Sequence, residues 1–361
     1  MESQKIQIGT NDKKAYVRKN HMDVLRIAAI FMVLFNHTGT YGFVLFTTAR
    51  NSAAYPLYLF ISIFITIAVP LFFMVSGALL LGKDEPFRVI LKKRVLRFAI
   101  VLIVGSALLY IYKGNTVSLA DFAKKLYTGT LTTPYWYLYS YLAYLLMLPF
   151  LRKLVKAMNN RDFILLFSLY FLLQSLYILQ FLIWRDGTSF NKNFTFFFMS
   201  KNIIFPLLGY YIEHRLPKRF FTKKYFLILA AAGMAAVCIC GALTHYRCGI
   251  IGEWKESSCG VFFSTYIFIP AAAVYFGTKL FFDTHQISKK LSDFLYSVSA
   301  CTFGTYLFEL IYRDKTKFVF RALVPYIHSL PACIIWIFCA CLAGITVTFI
   351  LRKIPGIKKF L

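Results

Sequence analysis

The chain predicts an all-α integral membrane protein of about ten transmembrane helices with both termini in the cytoplasm. Hydrophobic residues make up 59% of the chain and charged residues only 16%, with a mean hydropathy of +0.62. Soluble domains carry roughly 25% charged residues, so most of this surface cannot face water. The third observation is the placement of charge. The net charge of +26 comes from short basic clusters between apolar runs, the pattern of cytoplasmic loops rather than of a nucleic-acid interface.

Apolar runs of span length fall at 23–44, 56–81, 95–112, 135–151, 162–184, 194–213, 225–244, 260–282, 294–312 and 331–351. Lys201 interrupts the sixth, and the ninth is polar at both ends. With the N-terminus inside, 28 of the 41 Lys and Arg fall in cytoplasmic segments, which sets the orientation and an even number of spans. The polar stretch 1–22 is too long for a signal peptide and ends in no cleavage pattern, so the first span is retained. The division is then a cytoplasmic N-terminal segment (1–22), one transmembrane domain (23–351) and a cytoplasmic tail (352–361), in the cell membrane. No linker separates a second domain, and no internal repeat of the kind that builds many transporters is visible.

Six of the eight cysteines lie in apolar helices, where cysteine packs as a small hydrophobe. Cys248 and Cys259 share an outer loop and are candidates for a disulfide. No Cys/His set has the spacing of a zinc site, so no metal is expected.

Chemistry concentrates in a few polar residues. His37 is the one histidine placed well inside a span, and Arg26 precedes it by eleven positions, about 16 Å along one helical face. Titratable groups at such depth mark a site or pathway by default. Packing against a neighbouring helix is the competing role for His37. FFMVSG at 72–77 ends the second span, where Ser76 and Gly77 allow close backbone approach. KKRVLR follows at 92–97, and the three-residue spacing of Arg94 and Arg97 puts two guanidiniums on one face, suited to a polyanion. Basic residues there also serve topology. Glu309 is the acidic residue deep in a predicted span. It either orients the His37 imidazole or pairs with Lys201 or Arg313. Asn36 and Trp136 are candidates for shaping an acceptor pocket, and packing or interface roles suit them equally.

Taken in order, Arg26 and His37, FFMVSG at 72–77, Arg94 with Arg97, YWYL at 135–138 and TFGTYLFE at 302–309 resemble the membrane acyltransferase 3 family, over nearly the whole chain. These are the O-acyltransferases of surface polysaccharides, lipopolysaccharide and peptidoglycan. The resemblance implies transfer of an acyl group, usually acetyl, from cytoplasmic acyl-CoA as co-substrate to a hydroxyl of a surface or lipid-linked glycan, with no bound cofactor. It implies His37 as catalytic base or acyl relay, Arg26 as organiser of the inner pocket, and Arg94 and Arg97, beside Ser76 and Gly77, as the acyl-CoA site. Glu309 departs from the family, which often has histidine there. With no appended extracytoplasmic domain, a separate transferase partner is expected to complete delivery. The rival function is a glycan or lipid exporter or flippase without acyl-transfer chemistry, which also needs midplane polar groups and a basic inner face.

Overall fold

The computed structural model describes residues 19–114, 118–185, 200–255 and 260–360, and among these it is helical throughout, with no strand. The helices are α1 (Asn20–Asn36), α2 (Tyr55–Ile65), α3 (Ala68–Leu80), α4 (Phe87–Tyr112), α5 (Leu119–Thr128), α6 (Trp136–Ala157) and α7 (Asn160–Trp184). After the next described residue, Ser200, follow α8 (Lys201–Tyr210), α9 (Lys223–Ile251), α10 (Phe268–Thr284), α11 (Lys289–Ser299), α12 (Thr302–Leu307), α13 (Glu309–Leu323) and α14 (Ser329–Leu351).

Among the described residues, six helices are long and apolar enough to cross a membrane, with a bent pair as a seventh. The remaining expected spans are shorter: α1 and α10 have 17 residues each and α8 has 10. The predicted segment 194–213 lies in part outside the described residues. Exposed side chains on α7 such as Ile164, Leu165, Leu172 and Ile183 form the kind of surface that lipid solvates and water does not.

Three predicted spans differ from straight helices, and each difference bears on the site. The first ends at Asn36 rather than running to Val44, so His37 caps α1 instead of sitting inside it. The second breaks at Thr66 and Ile67 between α2 and α3. The ninth turns by 94° between the helices on either side of Phe308, which places Glu309 at the first turn of α13. Hydropathy averages over such breaks, because a window of span length is dominated by the apolar residues on either side of the few polar ones at the break.

Helix α1 is central and touches α2, α3, α10, α11, α12 and α14. Two apolar cores fill the bundle, one around Leu25, Leu71 and Phe205 and the other around Val33, Tyr135 and Trp336. Val69, Phe72, Phe98 and Tyr137 pack against both, at the seam between them. Helices α3 and α8 run in the closest contact. A Cβ on Gly77 would overlap the Pro206 carbonyl, and one on Gly209 would overlap that of Met74. Reciprocal glycines therefore let the two backbones touch, as small residues do between membrane helices. Cys248 is disulfide-bonded, while Cys259 lies outside the described residues.

Candidate active site

The end of α1 and the break before α13 bring His37 and Glu309 together. The imidazole Nδ1 lies 2.9 Å from Oε2 and 2.8 Å from Oε1 of the carboxylate. Glu309 is 2% exposed and His37 20%, so the carboxylate is sealed behind the ring and the ring keeps an open face. Arg313, one turn along α13, reaches both partners: its Nη2 lies 3.5 Å from Glu309 Oε1, and its Nη1 donates to the His37 carbonyl. The Trp336 indole N–H in turn holds the Arg313 carbonyl at 3.1 Å. With Nδ1–H donating to the carboxylate, Nε2 carries the lone pair, the form of imidazole that accepts a proton.

The other described histidines are occupied. His21 bonds Glu213 at 3.1 Å, His214 the Ala78 carbonyl at 2.7 Å, and His245 the Tyr55 hydroxyl at 3.0 Å. His328 stacks on Tyr58, and His285 stacks on Phe281.

His37 opens into a cavity of about 210 Å³ that Asn36, Trp136 and Lys201 also line. Among the described residues the Asn36 side-chain oxygen, itself buried, has no hydrogen-bond partner. A second cavity of about 370 Å³ is lined by Arg26, Ser76, Lys93, Arg94 and Arg97, with Phe360 of the tail at its edge. The two share a wall of Val33, Val69, Tyr137 and Tyr306. Across it the Tyr137 and Tyr306 rings meet edge to face at 5.6 Å. The Tyr306 hydroxyl is anchored on the Pro134 carbonyl. Arg26 and His37 thus line different chambers, back to back across this wall, rather than one pocket.

The arginine chamber is built on a wide turn. Leu91–Val95 is a π-helical segment inside α4, a local irregularity that often re-aims functional side chains. Arg94 and Arg97 both reach the cavity and differ in their partners. Arg94 grips Glu85 through Nη2 at 2.7 Å and Nε at 3.2 Å, and Arg152 holds the same carboxylate at 3.0 Å. The Arg94 hydrogen bond, aided by Arg152 and opposed by burial, holds the Glu85 carboxyl down to about 2. Among the described residues Arg97 has no such partner. Ser76 donates to the Tyr141 hydroxyl at 3.3 Å, and Gly77 faces Pro206 instead of the cavity. Arg26 pairs loosely with Asp23 at 3.6 Å.

Three groups escaped the sequence reading: Glu85, Arg152 and the Tyr137–Tyr306 wall. Arg313 was named there as a pairing partner of Glu309, its i+4 neighbour, and Glu309 meets both it and His37. Glu85 and Arg152 are 67 residues apart, and no local signal pairs them. Among the described residues no cluster of His, Cys, Asp and Glu fits a metal ion.

A family model described as an acyltransferase domain matches residues 19–353. No curated protein and no solved structure matches the chain. The match spans α1 through α14 and takes in both chambers, and on it the chain belongs to the acyltransferase 3 family.

Proposed function

We propose that the protein is a multi-pass O-acyltransferase of the cell membrane that moves an acyl group, acetyl by preference, from cytoplasmic acyl-CoA to a hydroxyl of a surface or lipid-linked glycan. The observation that carries this reading is the pair of chambers sharing one wall, cationic on one side and holding the His37–Glu309 pair on the other. Ten spans and cytoplasmic termini complete it, supported by the bias of 28 of 41 basic residues to one side.

The donor occupies the arginine chamber, with Arg97, Arg26 and Lys93 facing its phosphates. Arg94 is engaged by Glu85 and shapes the entrance. The Tyr137 and Tyr306 rings of the shared wall part to let the thioester end through, and the acceptor hydroxyl approaches His37 from the other side. Nε2 takes the hydroxyl proton as the oxygen attacks the thioester carbonyl. The carbon–sulfur bond then breaks, and the departing thiolate takes that proton to leave as coenzyme A thiol beside the new ester. Glu309 holds the imidazole in the accepting form and offsets the charge that develops on it.

The test is turnover of labelled acetyl-CoA by the purified protein with extracted surface glycan, together with mass spectrometry of surface glycans with and without the protein. Transfer that depends on His37 supports the reading. Glycan movement that consumes no acetyl-CoA and persists in His37→Ala would replace it with the exporter.

A further inference from the structure

The chamber of His37 contains a cation that acyl transfer does not require. Lys201 lines the cavity beside Asn202 and Ser264, and its ammonium donates to the Ser264 hydroxyl. Among the described residues no Asp or Glu lines this cavity. Among the described residues no carboxylate lies within ion-pair distance of Lys201. Glu309 stands behind His37, already held by the imidazole and Arg313.

A lysine near a membrane boundary ordinarily extends its ammonium toward headgroups on a flexible stem. Lys201 is exposed as well, but its ammonium turns to Ser264 on the cavity lining. It opens α8, where the helix dipole adds positive potential. That helix is clamped to α3 by the reciprocal Gly77 and Gly209 contacts, and Ile203 through Tyr210 are all buried. The backbone under Lys201 is therefore fixed, and its charge is presented to the cavity. His37 and Asn36 line the same cavity. The histidine side suits a hydroxyl, and the lysine side suits a negative group. An unbalanced cation beside a cavity is stabilised by an anionic ligand that forms charge-assisted hydrogen bonds there.

We propose that Lys201, with Asn202 and Ser264, forms an anion subsite in the acceptor chamber, so that the acceptor is an acidic saccharide. Its carboxylate or phosphate lies on or beside the sugar whose hydroxyl faces His37. This rests on the reading of that chamber as the acceptor site.

The experiment measures binding of glucose, glucuronic acid and glucose 1-phosphate to the purified full-length protein in nanodiscs, without acyl-CoA. At least one acidic sugar should bind about tenfold more tightly than glucose, the scale of one charge-assisted hydrogen bond. Lys201→Gln should erase the difference and Lys201→Arg should retain it. Which acid wins separates carboxylate from phosphate recognition. No preference in the folded wild type overturns the proposal. So does a preference that survives Lys201→Gln, or one that vanishes instead in Arg97→Ala, which would belong to the arginine chamber. A second readout needs no variant: protection of His37 from diethyl pyrocarbonate should require less acidic sugar than glucose, and equal protection counts against the subsite. Because no acyl donor is present, the two readings fail separately. Acyl transfer lost in His37→Ala with no acid preference removes the subsite alone, whereas acid preference without any acyl turnover removes the transferase alone.

Discussion

Nδ1 of His37 and the carboxylate of Glu309 meet at 2.9 Å across 272 residues of chain, one at the end of its helix and the other at the start of its own. Each stands where a helix stops, so neither side chain is constrained to a helical face, and the pair is aimed by two chain breaks. A base oriented by a carboxylate is the arrangement that general-base and nucleophilic acyl transfer share. Replacing His37 by Ala should lower turnover of labelled acetyl-CoA by about 10² to 10⁴. His37→Gln keeps a hydrogen bond to the carboxylate yet cannot accept a proton as a base, so it should be equally impaired. Near-normal transfer by folded His37→Gln would make the histidine structural.

Glu309→Gln separates orientation from binding. An amide can present N–H to Nδ1, which favours the tautomer with its proton on Nε2 and removes the acceptor. We expect kcat to fall by about a hundredfold or more while the KM for acyl-CoA stays within about twofold, since the donor chamber lies beyond the shared wall. Glu309→Ala leaves the ring free to choose its tautomer and should be the milder change. A rise in acyl-CoA KM with unchanged kcat would place Glu309 in donor binding instead.

The positions of this pair were partly legible. Sequence named both residues and the basic 92–97 segment, because isolated polar groups stand out in apolar runs. It read His37 as lying within the first span, whereas α1 stops at Asn36. The eleven-residue spacing puts Arg26 and His37 on one helical face, but side chains from α3, α6 and α12 close a wall between their chambers. Tyr137 and Tyr306 come from segments 169 positions apart, and their meeting is tertiary. The bend at Phe308 was equally hidden, since Leu307 and Phe308 are as apolar as a straight span and neither they nor Glu309 carries a helix-breaking signal. What composition fixes is that these helices live in lipid. Where they break depends on packing.

Arg94 and Arg97 should respond differently to mutation. Arg97→Ala removes an unpaired guanidinium from the donor chamber, so the apparent KM for acyl-CoA should rise by about tenfold, with only partial rescue by Lys. Arg94→Ala instead strips a partner from Glu85 and should cost stability. The pH dependence follows from the depressed carboxyl, which falls from an ordinary 4.5 to about 2. A lowered folded value stabilises the native state above 4.5, and that stability is lost as pH falls from 4.5 toward 2. Thermal unfolding of wild type and Glu85→Gln should therefore differ at pH 6 and converge as pH approaches 2. A constant gap across that range would mean that Glu85 contributes through packing alone.

The α3–α8 contact carries the last prediction. Gly77 sits against the Pro206 carbonyl, and neither backbone can yield without moving its whole helix, because both helices are buried along nearly all their length. A methyl group there overpacks the seam, a change that typically costs about 1 to 3 kcal/mol when a core must shift. Gly77→Ala should thus lower the unfolding temperature in detergent, and Gly209→Ala should do the same from the other side. The seam also positions both chambers, Ser76 on one and Lys201 on the other. The surviving folded fraction should accordingly show reduced kcat as well. An unchanged melting temperature in Gly77→Ala would mean that the helices separate more easily than this close contact implies.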